Sequence, residues 1–270
     1  MAEIKKTIGC IGAGNIGSAI LARLSKGYDP KLIQAYDIDA GKSDVLLREC
    51  GISIARSPEE LAQHCAIIII AVKPDSVPSV LESIKKKLAP GKVVVSIAAG
   101  VTISSMEKIL GRAAKIVRVM PNTPVLVGEG MSVLSPNGNV EDDLLKEVEQ
   151  VFSKIGRVLV LPEKLIDAVT GLSGSGPAYV FTFIQALADG GVKLGIPRKA
   201  SLLLAAQTVL GSARYVLETS GDPITLRGTV ASPGGATIEG IHVLERSGFA
   251  GIVMDAVEKA AAKSRKLGEQ

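Results

Sequence analysis

The fold of this chain is decided by residues 7–17, which read Thr7-Ile8-Gly9-Cys10-Ile11-Gly12-Ala13-Gly14-Asn15-Ile16-Gly17. A short apolar run, typical of a buried strand, stops at Gly12, and apolar residues then recur at helical spacing through Leu24. The glycines follow the G-x-G-x-x-G pattern, in which the backbone approaches a pyrophosphate at the start of a helix. This pattern predicts a dinucleotide site, with a purely structural turn as the alternative. The predicted cofactor contacts here are Ile11, Gly12, Ala13, Gly14, Asn15 and Ile16.

An acidic residue lies where such a fold contacts the adenosine ribose. Asp37 ends the next predicted strand, residues 32–36. A carboxylate at this place accepts hydrogen bonds from the ribose hydroxyls of NAD and repels the 2′-phosphate of NADP. Asp39 adds to that repulsion and Lys42 offsets part of it. The charges therefore indicate that NADH is accepted, unless Asp37 is only a turn residue that faces solvent.

Further apolar runs alternate with amphipathic segments along the first part of the chain, at residues 66–72, 93–97, 116–119, 131–134 and 158–161. This alternation predicts an α/β fold with a Rossmann-type doubly wound sheet. Two helix starts carry the pattern of a capping box, Ser57 with Glu60 and Ser104 with Glu107. Ligands of such sheets bind at the strand ends, although Pro74 is equally explained as the end of a strand. The loops at those ends add Ala71, Val72, Lys73, Pro74, Ile97, Ala98 and Ala99 to the predicted cofactor contacts.

The pattern changes after Pro162, where the remaining segments are helical. We expect a dinucleotide-binding domain over residues 1–162 and an all-α domain for substrate binding and dimerisation over residues 163–270. Several of these helices are apolar on more than one face, for example over residues 201–206. Because a domain of this size has a limited interior, it is expected to complete its core against another subunit.

Composition excludes several classes of protein. A net charge of +4, four Tyr, four Phe and no Trp argue against a nucleic-acid partner. The longest unbroken apolar stretch, residues 66–72, is far short of a membrane span, so we expect no membrane partner. Three cysteines without paired spacing predict neither a metal site nor a disulfide framework. These features indicate a cytoplasmic protein.

A second glycine turn, far from the first, reads Ser232-Pro233-Gly234-Gly235-Ala236-Thr237 and opens a predicted helix. Unpaired N–H groups at a helix start, close backbone approach at the glycines and two hydroxyls together suit a small anion. A simple helix cap with a tight turn is the alternative.

The expected cofactor region has no obvious proton relay. His64 and His242 lie beside apolar segments, and Lys193 lies at a helix end where the dipole explains it. The reaction that fits is reduction of a protonated C=N bond, because the iminium already carries its proton when hydride arrives.

The chain resembles the pyrroline-5-carboxylate reductase family over nearly its whole length. The resemblance rests on segments 12–14, 71–74, 98–103, 120–124, 167–179, 190–198 and 232–237. It implies hydride transfer from NADP(H) to C5 of a cyclic imino acid to give L-proline; NAD(H) is also plausible because of Asp37. It further implies a homodimer, with dimers often assembling into a ring-shaped decamer.

The same resemblance implies the site residues. Ser232 and the backbone at Gly234, Gly235 and Ala236 would hold the substrate carboxylate, and Glu163 is a weaker candidate for the substrate end. Thr237 would lie at the ring nitrogen and, with Ser175, is a predicted catalytic residue. Met120, Pro121, Asn122 and Ser175 would surround the nicotinamide.

Two departures from the family pattern bear on the cofactor. The family usually has a small polar residue where this chain has Asp37. Many members have an acidic residue followed by a polar one that can reach the cofactor where this chain has Leu226-Arg227-Gly228-Thr229. The alternatives are a reductase of a related cyclic imino acid and a dinucleotide-binding protein without catalysis.

Overall fold

The computed structural model describes residues 6–268, which form two compact units. The first unit comprises the described residues up to Gly174 together with those from Lys259 onward, and the second is Ser175–Glu258. The functional boundary expected after residue 162 stays a prediction.

The first unit is built on one sheet of eight strands among the described residues, in the order β3-β2-β1-β4-β5-β6-β7-β8. All neighbouring pairs are parallel except β6 and β7. The α/β prediction is confirmed, although the short strand β3 and the reversal at β7 were not predicted. The strands are β1 Ile8–Ile11, β2 Ile33–Tyr36, β3 Ser53–Ile54, β4 Ile67–Ile70, β5 Val93–Ser96, β6 Lys115–Met120, β7 Gly130–Pro136 and β8 Gly156–Val160.

Strand β4 shows why the sheet needs cover on both faces. Its four isoleucines have no exposed surface. Ile67 and Ile69 belong to one hydrophobic cluster, whereas Ile68 and Ile70 belong to the other. Because successive side chains of a strand point to opposite faces, this run supplies both cores at once.

Seven helices in the described part of the first unit follow the strands. Helix α3 begins as predicted, with Ser57 Oγ accepting from the Glu60 N–H at 3.2 Å. The predicted cap at Ser104 is wrong, because Thr102 Oγ1 accepts from the Ser105 N–H at 3.1 Å and so starts α5 earlier. The helices are α1 Asn15–Leu24, α2 Ala40–Cys50, α3 Pro58–His64, α4 Val77–Ile84, α5 Ile103–Leu110, α6 Asp142–Ser153 and α7 Ile166–Val169, followed by a π-helical turn, Thr170–Gly174.

The second unit is helical, as predicted. Helix α9 is long and apolar enough, by length and composition alone, to cross a membrane; core helices of soluble proteins meet the same criterion. The helices are α8 Gly176–Lys193, α9 Arg198–Thr219, α10 Pro223–Val230, α11 Ala236–Arg246 and α12 Phe249–Gly268.

The last turns of α12 belong to the first unit. Ser264 Oγ donates to Asp167 Oδ1 at 2.7 Å, which joins α12 to α7. A Cβ placed on Gly100, after β5, would lie 3.5 Å from the Leu267 carbonyl carbon. The end of α12 therefore packs beside the loop that follows β5.

Candidate functional site

The first glycine turn joins β1 to α1, and each of its glycines has a separate role. Gly12 has a φ of +105°, and a Cβ there would lie 2.6 Å from the Ala71 carbonyl oxygen. A Cβ on Gly17 would lie 2.2 Å from the Gly12 carbonyl oxygen. Both positions therefore exclude larger side chains.

Gly14 differs, because a Cβ on it would meet no described atom within 4 Å. It is the N-cap of α1, and within residues 6–268 no side chain caps that helix start. The first N–H groups of α1 thus lie beside open space, as the pyrophosphate of a dinucleotide requires.

Asp37 lies directly against this turn. The Ala13 N–H donates to Asp37 Oδ2 at 2.5 Å, and the Asp39 N–H donates to Oδ1 at 2.9 Å. Burial, and secondarily the charge of Asp37, raise the pKa of the neighbouring Cys10 thiol to about 12. Asp39 itself caps α2, since its Oδ1 accepts from the Gly41 N–H at 3.0 Å.

Two clefts adjoin the turn. The first, which we call the adenosine cleft, has a volume of about 340 Å³ and lies at the ends of β1, β2 and β4, where the strand order reverses. Ligands of open α/β sheets bind at such a point. The second, about 520 Å³, lies between α1 and α2 and includes Lys42. The adenosine cleft is lined by Ile11, Gly12, Tyr36, Asp37, Ile38, Pro58, Val72, Ser76, Ser79, Val80 and Ser83.

The two predicted loops meet the turn to different degrees. The Ala71 N–H donates to the Ile11 carbonyl at 2.8 Å, and Val72 lines the adenosine cleft. Lys73 precedes a short 3-10 helix, Pro74–Ser76. In the loop after β5, the Ala98 methyl is buried in the core, whereas Ala99 is exposed.

The Asn122 side chain, predicted beside the nicotinamide, is held by the protein at both ends. Its Nδ2 donates to the Ser173 carbonyl at 3.1 Å, and its Oδ1 accepts from the Met131 N–H at 2.8 Å. A Cβ on Gly174 would lie 2.5 Å from Met120 Cε. Met120 and Asn122 therefore support the π-helical turn that precedes Ser175.

The Glu163 carboxylate forms an ion pair with Arg118, a residue that the sequence analysis did not predict. Glu163 Oε1 accepts from Arg118 Nη1 at 3.0 Å and from the Ile103 N–H at 2.8 Å. The Arg118 side chain is only 7% exposed. A single arginine within the apolar run of β6 is a sequence signal for a buried cation, and a buried cation needs a partner of opposite charge.

The second glycine turn opens α11. Gly235 is its N-cap without a side-chain cap, and Gly234 has a φ of +67°. A Cβ on Gly235 would lie 2.4 Å from Ser232 Oγ, so the Ser232 hydroxyl lies over the backbone of this helix start. Ser232, Ala236 and Thr237 are exposed. Uncapped N–H groups and two hydroxyls thus meet at one accessible place.

Ser175 immediately precedes α8 without capping it. Among residues 6–268, no group of three or more His, Cys, Asp or Glu residues is arranged to hold a metal ion.

Comparison with known families covers both ends of the chain. The family model described as "Pyrroline-5-carboxylate reductase dimerisation" matches residues 163–267. A second one, "NADP oxidoreductase coenzyme F420-dependent", matches residues 7–100.

Individual relatives match the chain almost end to end. Pyrroline-5-carboxylate reductase of Methanosarcina acetivorans is 43% identical over 265 residues, which cover 97% of this chain and 98% of the relative. The Escherichia coli K12 enzyme of the same name is 44% identical over 268 residues, covering 98% of this chain and all of the relative.

Solved structures of pyrroline carboxylate reductases also match almost the whole chain. A pyrroline-5-carboxylate reductase from Coxiella burnetii has a TM-score of 0.95 at 35% identity, covering 99% of this chain and 100% of its own. The Plasmodium falciparum pyrroline carboxylate reductase with NADP bound has a TM-score of 0.88 at 38% identity, with the same coverage. This chain belongs to the pyrroline-5-carboxylate reductase family.

Proposed function

We propose that this protein reduces L-1-pyrroline-5-carboxylate to L-proline, the last step of proline biosynthesis. The observation that carries the proposal is identity of 43–44% to reductases of this name over 97–98% of the chain. That identity spans both glycine turns. The geometry of each turn supports a separate part of the reaction.

The first turn is proposed to hold the pyrophosphate of NADP(H), the cofactor that one family description and one solved relative print. The support is the open space at Gly14 beside the uncapped start of α1. The reduced dinucleotide, when bound, supplies a hydride. The loops at residues 71–74 and 97–99 are proposed to contact it, together with Met120, Pro121, Asn122 and Ser175.

The second turn is proposed to hold the substrate carboxylate. Ser232 and the N–H groups of Gly235 and Ala236 lie at the uncapped, positive end of α11, which favours a negative group. Thr237 is exposed in the first turn of α11, and its hydroxyl is assigned to the ring nitrogen on the family resemblance. There it accepts a hydrogen bond from the protonated imine and orients the C=N bond.

No proton donor is needed in this scheme. The iminium nitrogen carries its proton, the hydride adds to C5, and the electron pair of the C=N π bond moves to nitrogen. The product is the neutral secondary amine, which takes up a proton from water. Glu163 is proposed as a weaker contact at the substrate end, with its Oε1 held by Arg118 and the Ile103 N–H and its side chain still 30% exposed.

We further propose a cytoplasmic homodimer, with a decamer as its higher assembly and with neither membrane nor nucleic acid as partner. Free Cys10, Cys50 and Cys65 support a reducing compartment. The apolar face of α9 lies inside the segment that matches the dimerisation family, which supports a second copy of the chain as its cover.

The test is the loss of reduced-cofactor absorbance when the purified protein meets L-pyrroline-5-carboxylate. Turnover is expected, with a higher kcat/KM than for a six-membered cyclic imine or the 2-carboxylate isomer. No turnover with either NADH or NADPH would refute the proposal, and a higher kcat/KM on another imine would identify a different substrate.

Thr237→Ala tests the role at the ring nitrogen. It should lower kcat by roughly tenfold to a hundredfold while leaving cofactor affinity unchanged. Thr182→Ala is the matched control, since the exposed Thr182 hydroxyl bonds only within its own helix, to the Ala178 carbonyl. Normal turnover with weakened cofactor binding in Thr237→Ala would contradict the assignment.

A further inference from the structure

The lining of the adenosine cleft is negatively charged, which is unfavourable for binding a phosphorylated ribose. Of its eleven lining residues, all within the described part of the chain, Asp37 alone is charged. The others are apolar or carry hydroxyls, among them Tyr36, Ser76 and Ser79. The cleft therefore offers a negative charge and neutral hydroxyls to its ligand.

Asp37 is fixed in place yet retains free acceptor capacity. The Ala13 and Asp39 N–H groups each take one position on its two oxygens. A carboxylate offers about four acceptor positions. Two neighbouring ribose hydroxyls can thus donate to it, whereas a 2′-phosphate brings further negative charge and no donor.

The cations nearest in the sequence lie outside this cleft. Lys42 and Arg23 line the second cleft, between α1 and α2. Lys73 and Arg56 each adjoin a segment of the adenosine cleft but do not line it. Asp39, held at the start of α2, adds a second carboxylate near Asp37. The described lining thus provides no positive partner for a 2′-phosphate.

We infer that this cleft selects an adenosine without a 2′-phosphate, so that the protein binds NADH more tightly than NADPH. The inference rests on the proposed function, in that the first glycine turn must hold a nicotinamide dinucleotide. It sets this chain apart from the relative that was solved with NADP bound. Asp37 is the specificity-determining residue.

Equilibrium binding to the full-length protein without imine substrate tests the inference. Fluorescence titration with NADH and NADPH, with calorimetry of NAD⁺ and NADP⁺, should give a Kd roughly tenfold or more lower for the non-phosphorylated form. Equal or tighter binding of NADPH would overturn the inference. Because no imine is present, a protein that fails to reduce pyrroline-5-carboxylate still gives a decisive result here.

Two variants separate the charge of Asp37 from its structural hydrogen bonds. Asp37→Asn removes the charge together with one of the two acceptor oxygens, and it should improve NADPH binding roughly tenfold relative to NADH; Ile38→Arg leaves both hydrogen bonds of Asp37 in place. Ile38→Arg adds a cation at the rim of the cleft, where Ile38 is 93% exposed, and should shift the ratio in the same direction without affecting the fold. Thermal unfolding reports on folding in both variants.

Asp44→Asn is the matched control, because Asp44 is an exposed carboxylate on α2 that does not line the adenosine cleft. It should leave the NADH to NADPH ratio unchanged. An unchanged ratio in both Asp37→Asn and Ile38→Arg, or an equal shift in Asp44→Asn, would show that selectivity does not reside at Asp37.

Discussion

The two units of this protein bury their apolar residues to very different degrees. In the first unit, both faces of the sheet are covered, and the isoleucines of β4 have no exposed surface. In the second, the buried hydrophobic residues within the described chain are Ala188 and Ala205. Its large side chains stay accessible, with Leu203 69% and Phe181 64% exposed.

The contrast shows that the first unit completes its own core and the second does not. Exposed apolar area on this scale marks a surface that another molecule covers. The sequence of α9 already indicated this, because a helix that is apolar on several faces cannot bury them all within one small unit.

The strongest test of this contrast is a charge placed on the apolar face of α9. Leu203→Asp should weaken self-association at least roughly a hundredfold, because association would bury an unpaired carboxylate. Light scattering coupled to size-exclusion chromatography measures the resulting mass. Leu47→Asp, at a 50% exposed leucine on α2 of the first unit, should leave that mass unchanged.

The opposite result would reverse the comparison between the units. If Leu203→Asp keeps the full oligomer while Leu47→Asp dissociates it, the first unit provides the interface.

A cavity introduced by mutation into the core of the first unit tests whether that unit is stable without a partner. Ile69→Ala should lower the free energy of unfolding by about 2–5 kcal/mol, since Ile69 is fully buried and the neighbouring strands cannot close the space. Urea unfolding at two protein concentrations should give the same loss at both. Leu210→Ala, on the exposed face of α9, should instead have an effect that depends on protein concentration.

A loss that changes with concentration for Ile69→Ala would mean that the first unit also depends on a partner.

The smallest expected effect concerns the thiols of the first unit. Burial raises the pKa of Cys10 and of Cys65 to about 12, so both are protonated at neutral pH and react slowly. Cys50 is only partly buried. A disulfide reagent should therefore modify one thiol per native chain and three after denaturation.

Cys50→Ser should remove the native reaction, as intact mass would show. Rapid modification of Cys10 in the native protein would mean that the core beneath the glycine turn opens readily.

Local patterns predicted most of the first unit. The β1 strand, the glycine turn and α1 follow from one contiguous stretch, and the start of α3 follows from Ser57 and Glu60. Strand, turn and helix-cap patterns each depend on residues that are close together in the sequence, so they can be read without knowing the fold. Strand β3 was missed because Ser53 and Ile54 are too short a run to show alternation.

Partners distant in the sequence set the limits of prediction at the site. Glu107 suggested a cap with Ser104, but its Oε1 accepts from Asn137 Nδ2 at 2.8 Å, thirty positions along the chain. Glu163 and Asn122, predicted as ligand contacts, also bond within the protein, Glu163 to Arg118 and Asn122 to the Ser173 carbonyl, and their contacts with ligands stay predictions. The sequence around a polar side chain does not show whether that side chain bonds to a ligand or to another residue of the protein.

The return of α12 to the first unit has a consequence for how the protein is made. Ser264 and Leu267 contact Asp167 and Gly100, so the ribosome must synthesise the whole second unit before those contacts can form. Segments of a nascent chain fold as they emerge, N-terminal parts first. The first unit therefore reaches its final packing only after residues 259–268 have been synthesised, and these residues follow the whole second unit in the chain.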